Sequence, residues 1–339
     1  MATIVDVAKK AGVSVSTVSY ALSGVRHISD ETRERILHVV EELNYHPNLL
    51  ARGLINKRTK IIALLYPAVA SDYLDDVQLD FISHIAKIAT HYGYGLLLFT
   101  SPSGEQEIMR FINEGLIDGI ILMEVLRQDP RVTLMNKLGY PFSLIGHTEN
   151  NKGISFVDMD FYTALHLCVE HLAEFKHREI IFIHSFVDFQ HSQHNYLIES
   201  VRGFNDAAGE LGVMGTISGC KPTIQAGYEI MKTLLETQPG FSAVIAGNEP
   251  IYSGVTQALI ERGLRIPKDF SVIGLMSNLS AEKYTPKVTS LSVPSSEMGR
   301  MGAEFLIKKL EGQEIEPQQV ILPPQLTVRQ STGRFKKRI

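Results

Sequence analysis

The sequence predicts an α/β protein in which an N-terminal helix-turn-helix segment of three short helices precedes two doubly wound lobes. Three observations carry this reading. Apolar residues recur at helical spacing behind capping residues over the first 45 positions. From Ile61 onward, short continuous apolar runs alternate with helix-like stretches, as in βαβ units around a buried parallel sheet. That strand series occurs twice in a chain of 339 residues, which is too long for one ordinary core.

Taken in order, Thr3 caps a first helix whose Ile4, Val7, Ala8 and Ala11 share one face, with Asp6 in the first turn where the helix dipole favours an acid. Gly12 stops it. Ser14 caps a second helix with Val18, Ala21 and Leu22 inward and Gly24 at its end, so the turn is as short as a helix-turn-helix DNA reader requires. Ser29, Asp30 and Glu31 open a third helix with Ile36, Val40 and Leu43 on one face, ending before Pro47. Strands follow at 61–66, 95–99, 119–123 and 142–145, with a helix over 77–92, and a second series at 180–184, 213–218, 243–246 and 271–275. Two such series mean two lobes, and doubly wound lobes bind ligands beyond the carboxyl ends of their strands, which places a pocket in the cleft between them.

Composition narrows the function. With 44% hydrophobic and 21% charged residues the chain folds rather than staying disordered. The longest apolar run, 61–70, contains Pro67 and is too short to span a bilayer, and the first residues lack the apolar core of a secretory signal, which points to the cytoplasm. Cys168 and Cys220 are the only cysteines, too few for a disulfide framework or a thiolate zinc site. The net charge of −4 hides an asymmetry: residues 1–60 carry nine Lys or Arg against six acids, so a basic end precedes an acidic remainder. No dinucleotide fingerprint, phosphate loop, Gly-x-Ser-x-Gly elbow or His-Glu-x-x-His motif occurs, so the sequence is read as a non-enzyme without cofactor.

The stretches TIVDVAKKAGVSVSTVSYALSG, SDETRERILHVVEELNYHPNLLARGL and KRTKIIALLYP, with VIAGNEPIYSG, RIPKDFSVIGL and VILPPQLTVRQST further on, resemble the lactose and galactose repressor family of bacterial transcription regulators over almost the whole chain. The resemblance implies a periplasmic-binding-protein-like two-lobed module and a repressor that binds a pseudo-palindromic operator in double-stranded DNA as a homodimer. It makes the second helix the recognition helix, with Val15, Ser16 and Tyr20 at base edges; helix packing is the alternative for Tyr20. Thr17, Ser19, Ser23, Asn44, Tyr45, His46 and Arg52 are then phosphate-positioning groups, joined in the DNA-binding set by the caps Thr3 and Ser14 and by Asn48 and Ala51. Residues 48–56 form a hinge segment too short to be helical alone in water. Leu54 sits in it where the family inserts a leucine wedge into the minor groove, the alternative being a linker that covers the lobes. After Arg-Gln-Ser-Thr the chain continues only to Ile339, too short for a tetramerising heptad tail.

The cleft departs from the family. Where sugar-binding members carry an acid, an Arg and an Asp, this sequence has Gly146, Ser200 and Met276; Val293 and Pro222 replace a Gln and an aromatic, and Asn248 and Glu249 keep the Asn-acid pair. The implied effector is carbohydrate-related but not a plain neutral hexose, read by Asp72, Tyr73, Glu124, His147, His184, His191, Ser200, Asn248, Glu249 and Met276. His184, His191 and His194 lack a fixed acid partner and are not read as a metal site. The expected organisation is a headpiece at 1–46, a hinge helix and linker at 47–60, and an effector and dimerisation module at 61–339. Its lobes are 61–158 with 291–320, and 159–290 with the C-terminal segment. The protein is expected in the bacterial cytoplasm at the nucleoid, with no membrane partner. The alternative is a cytoplasmic small-molecule binder without DNA regulation.

Overall fold

A computed structural model describes residues 2–23, 26–45, 58–66, 74–100, 105–186, 192–238, 240–313 and 316–336, and it divides into two units, Met1–Lys60 with Glu114–Leu116 and Ile61–Asn113 with Ile117–Ile339. The hinge segment 48–56 lies outside the described residues.

The first unit holds α1 (Ile4–Ala11), α2 (Val15–Ser23) and α3 (Asp30–Glu42). Thr3 and Asp6 form a reciprocal capping box, with Thr3 N–H donating to Asp6 Oδ2 at 2.8 Å, and Gly12 takes the left-handed conformation at φ 68° that ends α1. Ser14 Oγ accepts from Thr17 N–H at 3.1 Å and Ser29 Oγ from Thr32 N–H at 3.4 Å, so each helix starts where a side chain satisfies an orphan backbone donor. At the far end Asn44 is left-handed at φ 45° and Tyr45 N–H reaches back to Val40 O at 2.9 Å, a Schellman stop. Val7, Ala8, Ala11, Val18, Ala21, Ile36 and Val39 form the core, and Val40 and Leu43 pack against its edge. Val39 rather than Val40 is the buried one of the pair, both lying at helical spacing from Ile36.

The second unit contains two six-stranded sheets. The first is ordered β11-β5-β4-β3-β1-β2, from β1 (Ile61–Leu65), β2 (Gly95–Phe99), β3 (Gly119–Leu122), β4 (Phe142–Ile145), β5 (Phe156–Met159) and β11 (Gln319–Leu322), all parallel. The second is ordered β12-β10-β9-β8-β6-β7, from β6 (Glu179–His184), β7 (Met214–Gly219), β8 (Ala243–Ala246), β9 (Ser271–Leu275), β10 (Thr289–Ser292) and β12 (Gln325–Thr327), with only β12 antiparallel. The helices around them are α4 (Asp76–His91), α5 (Glu105–Asn113), α6 (Pro130–Leu138), α7 (Phe161–Glu174), α8 (Asn195–Glu210), α9 (Ile224–Thr237), α10 (Glu249–Glu261), α11 (Asn278–Lys283) and α12 (Ser295–Leu310).

β5, β10, β11 and β12 go beyond the four strands per lobe expected from sequence, because they are short and interrupted by polar residues such as Asp158, Ser290 and Gln319. The chain passes between the sheets after Met159, Ser292 and Leu322, where the sequence reading places boundaries at 158, 290 and 320. After the second passage α12 packs on α4 in the first lobe.

Close helix packing fixes the second lobe. A Cβ at Gly203 of α8 would lie 2.1 Å from the Tyr162 carbonyl oxygen of α7, a backbone atom that cannot step aside. Gly203→Ala is therefore expected to cost about 1–3 kcal/mol or more, read as a lower urea midpoint with the slope unchanged.

Candidate functional site

On the first unit, α2 presents an outward row. Val15 is 41% exposed, an apolar side chain left in solvent at the start of a capped helix, with Ser16 exposed beside it. Ser19 and Tyr20 are half-buried, and the Arg26 guanidinium stands 5.7 Å from the Tyr20 ring centroid. Thr3, Ser14 and Thr17 use their hydroxyls within the helix caps; Ser14 Oγ and Thr17 Oγ1 are 2.8 Å apart. Asn44 is exposed at the end of α3, whereas Tyr45 packs half-buried against the three-helix core. His46, Asn48, Ala51, Arg52 and Leu54 lie outside the described residues, as does the side chain of Ser23.

In the second unit a cleft of about 480 Å³ opens at the carboxyl ends of both sheets. Glu124, His147, His184, Ser200 and Asn248 line it. Asp72, Tyr73 and His191 lie outside the described residues. Two of the residues read from sequence are not in the lining. Glu249 starts α10 and accepts a hydrogen bond from the Tyr284 hydroxyl at 3.1 Å, and Met276 is buried in the second-lobe core, its methyl group filling the space above Gly274. The Met276 thioether has little polar character to satisfy, and it packs in the core rather than facing a polar cleft. Conversely, Tyr66, Asp75, Phe161, Phe186, Asn195, Tyr196 and Lys221 line the cleft without having been picked out from sequence. Asp75 carried a signal, since it sits three residues before Gln78 in a capping box that opens α4.

His147 joins the two lobes. Its Nδ1 lies 2.7 Å from Asp158 Oδ2 and donates to it, which leaves Nε2 to accept from Asn195 Nδ2 at 2.8 Å. Alongside, Arg127 N–H donates to Gln193 O at 2.7 Å and Asn195 N–H to Val125 O at 3.3 Å, so a short antiparallel bridge at Leu126 and His194 spans the cleft margin. On another margin Asp76 of α4 accepts from Ser280 at 2.7 Å and Lys283 at 3.0 Å of the α11 region.

Glu124 occupies an unusual place. Its backbone is left-handed at φ 50°, which is rare for a residue with a Cβ. Arg131 holds that turn: its Nη2 donates to the carbonyls of Met123 and Glu124 at 3.0 Å, while Nε and Nη2 fork onto the buried Asp129 carboxylate at 3.0 and 2.7 Å. Burial pushes the Glu124 carboxyl up to about 7, against the pull of Arg131 and the Tyr196 hydroxyl that donates to it. Burial also raises Asp75, helped by the charge of Glu249, and lowers His194; it takes His184 down to about 4.

A carboxyl raised from 4.5 to about 7 on folding contributes stability that is full below 4.5 and is lost as pH rises through 7. Glu124→Gln is therefore expected to match the parent at pH 4.5 and to exceed it at pH 8. The gain is at most about 3 kcal/mol, since a quarter of the side chain stays exposed, and chemical unfolding at the two pH values checks it. Among the described residues no group of three or more His, Cys, Asp or Glu has metal-holding geometry, and no helix is long and apolar enough to cross a membrane.

Residues 3–48 match the family described as bacterial regulatory proteins, lacI family, and residues 169–332 match the periplasmic binding protein-like domain. The HTH-type transcriptional regulator AscG of Escherichia coli (strain K12) is 31% identical over 94% of this chain and 94% of its own. The solved complex of the transcriptional regulator CelR with cellobiose is 26% identical, with a TM-score of 0.72 over 98% of this chain and 100% of that one. The lac repressor dimer bound to operator and the anti-inducer ONPF shares the fold, with a TM-score of 0.84 at 21% identity over 98% and 99% of the two chains.

Proposed function

Since the chain belongs to the lacI family of bacterial regulatory proteins, and is a transcription regulator rather than an enzyme, we propose that it represses transcription by reading a pseudo-palindromic operator as a homodimer whose grip is set by a small molecule in the inter-lobe cleft. In this reading residues 1–46 are the headpiece, 47–60 the hinge, and 61–339 the module that senses the effector and dimerises, working in the bacterial cytoplasm on the nucleoid. The observation that carries it is the exposed start of α2: a capped helix that leaves Val15 and Ser16 in solvent is built to meet something, and a major groove admits such a helix.

The base-reading residues are Val15, Ser16 and Tyr20, with the Ser19 hydroxyl and the Asn44 amide directed to phosphates and the Thr17 hydroxyl reaching one from its place beside Ser14 in the cap. The half-buried Tyr45 and the cap hydroxyls of Thr3 and Ser14 act by holding the headpiece in shape. One helix reads too few base pairs alone, which calls for a second subunit. The second unit leaves Leu97 and Leu98 on edge strand β2, Ile224 on α9 and Leu279 on α11 exposed, apolar surface suited to a partner of the same kind. The effector is carbohydrate-related but not a plain neutral hexose: Ser200 is buried against the cleft where sugar-binding relatives carry an Arg fork, and the polar groups that remain are His147, Asn195, Asn248 and Glu124.

The test is retention on duplex DNA as salt rises. A reader with several phosphate contacts weakens steeply, with a log–log slope of about −0.9 per phosphate contact. A cytoplasmic binder without DNA regulation is not retained at any salt. Within this scheme Leu54 is the minor-groove wedge, so Leu54→Ala is expected to reduce operator bending and to lower specific affinity by about tenfold or more, with the effector module still folded. Unchanged affinity and bending remove the wedge.

A further inference from the structure

The cleft is acidic where it is most enclosed. Glu124 and Asp75 both line it from the first lobe; the charge of Asp75 helps to raise the Glu124 carboxyl, and Asp75, itself raised chiefly by burial, also feels Glu249 and Asp76. Among the described residues the cations that could cancel them are committed or distant, and the charge of Arg131 offsets the burial of Glu124 only in part. Arg131 is spent on the Asp129 carboxylate and two backbone carbonyls, and the lysine of the described lining, Lys221, is exposed at the rim. His194 is 3.8 Å from Glu124, and burial keeps it in its neutral form. Position 200, from which an Arg could reach in, holds a buried serine.

Rings surround these carboxyls. Phe186 packs on His194 with centroids 4.6 Å apart, Tyr196 lies 5.4 Å from Phe161 and 6.3 Å from Phe186, and Tyr66 stands near Glu124 on the first lobe. Aromatic faces attract a cation through their quadrupole, and desolvated carboxylates attract it by charge; both work against an anion and neither distinguishes a neutral sugar.

We propose that the effector is a protonated amine on a compact ring-sized body, such as an amino sugar, with its ammonium group between Glu124 and Asp75 and its ring against Tyr196 and Phe186. This deepens the effector-regulated reading of the cleft and rests on it. Binding replaces the missing counter-charge: the ammonium donates hydrogen bonds to carboxylates that folding leaves desolvated.

Calorimetric titration of the full chain with matched pairs at pH 7.5 tests the proposal: glucosamine against glucose, galactosamine against galactose, and benzylamine against benzyl alcohol. At least one amine is expected to bind tenfold or more tightly than its neutral counterpart. Glu124→Gln, of the same shape and without the charge, should cut that preference to threefold or less, and Asp75→Asn should lower it independently. Preferences below tenfold in every pair, including no binding at all, overturn the proposal, as does a preference that survives both substitutions. The titration uses no DNA. A protein that binds duplex DNA but prefers no amine loses this proposal alone, and one that binds amines but no duplex loses the regulatory reading instead.

Discussion

Replacing Val15, Ser16 and Tyr20 together by alanine is expected to lower affinity for the specific operator by about 10²–10³-fold, while binding to unrelated duplex changes little. Contacts to base edges are worth about 1–3 kcal/mol each when well made, and an apolar contact with two single-hydroxyl contacts belongs to the lower part of that range. The helix itself should survive. Alanine is a good helix former, Ser14 still caps Thr17, and the buried side of α2 keeps Val18 and Ala21. The substitutions therefore separate reading from folding. Parallel titrations of specific and unrelated duplex at one salt concentration check the prediction, and an equal loss on both would mean that these side chains serve the backbone rather than the bases.

The second large effect is on stability. Arg131→Met is expected to cost about 3–5 kcal/mol, because it keeps most of the volume but strands the Asp129 carboxylate, whose side chain is fully buried, and leaves two carbonyls without their donor. In the parent, burial works to raise Asp129, but the hydrogen bonds and charge of Arg131 outweigh it and hold the carboxyl below its usual value. That contribution is present at neutral pH and disappears as acid protonates the group in the fold, so parent and variant should converge on acidification. The paired change Asp129→Asn with Arg131→Met should recover part of the loss, because no charge is then left unpaired. Urea unfolding of the three proteins at pH 7 and at about pH 2.5, below the ordinary carboxylate range, provides the comparison. The site is affected as well as the core: without Arg131 the left-handed turn at Glu124 loses its tie, and the carboxyl that faces the cleft is no longer fixed.

These two sites show which features the sequence could announce. Thr3, Ser14 and Ser29 cap their helices with the residues that local chemistry prefers, and runs such as Ile120 to Leu122 and Val244 to Ala246 are apolar enough to be strands in any parallel sheet. Strands that depend on tertiary partners were not legible. β5 contains Asp158, tolerable in a buried strand only because His147 and the Met159 N–H satisfy it. β10 reads Thr-Ser-Leu-Ser and β12 Gln-Leu-Thr, each with one apolar residue over three or four positions, too few for a periodic signal.

The cleft was legible in position and less so in content. Strand-end logic reaches Glu124, His147, His184 and Asn248, since each closely follows or ends a strand or caps the helix after it. It cannot tell that the side chain at 276 turns into the core or that Glu249 is taken up by Tyr284, since both depend on neighbours distant in sequence. Nor can it find Asn195 and Tyr196, which belong to the first turn of α8 and reach the cleft because residues 193–195 pair across it with Val125 and Arg127.

Selection from a random duplex library, followed by sedimentation of the protein on the winning sequence, tests the central claim most directly. The account predicts enrichment of a site with two inverted half-sites, bound by two protein chains and centred on a step the minor-groove segment can widen. Enrichment of nothing above background at low salt, or of a single half-site occupied by one chain, would contradict it.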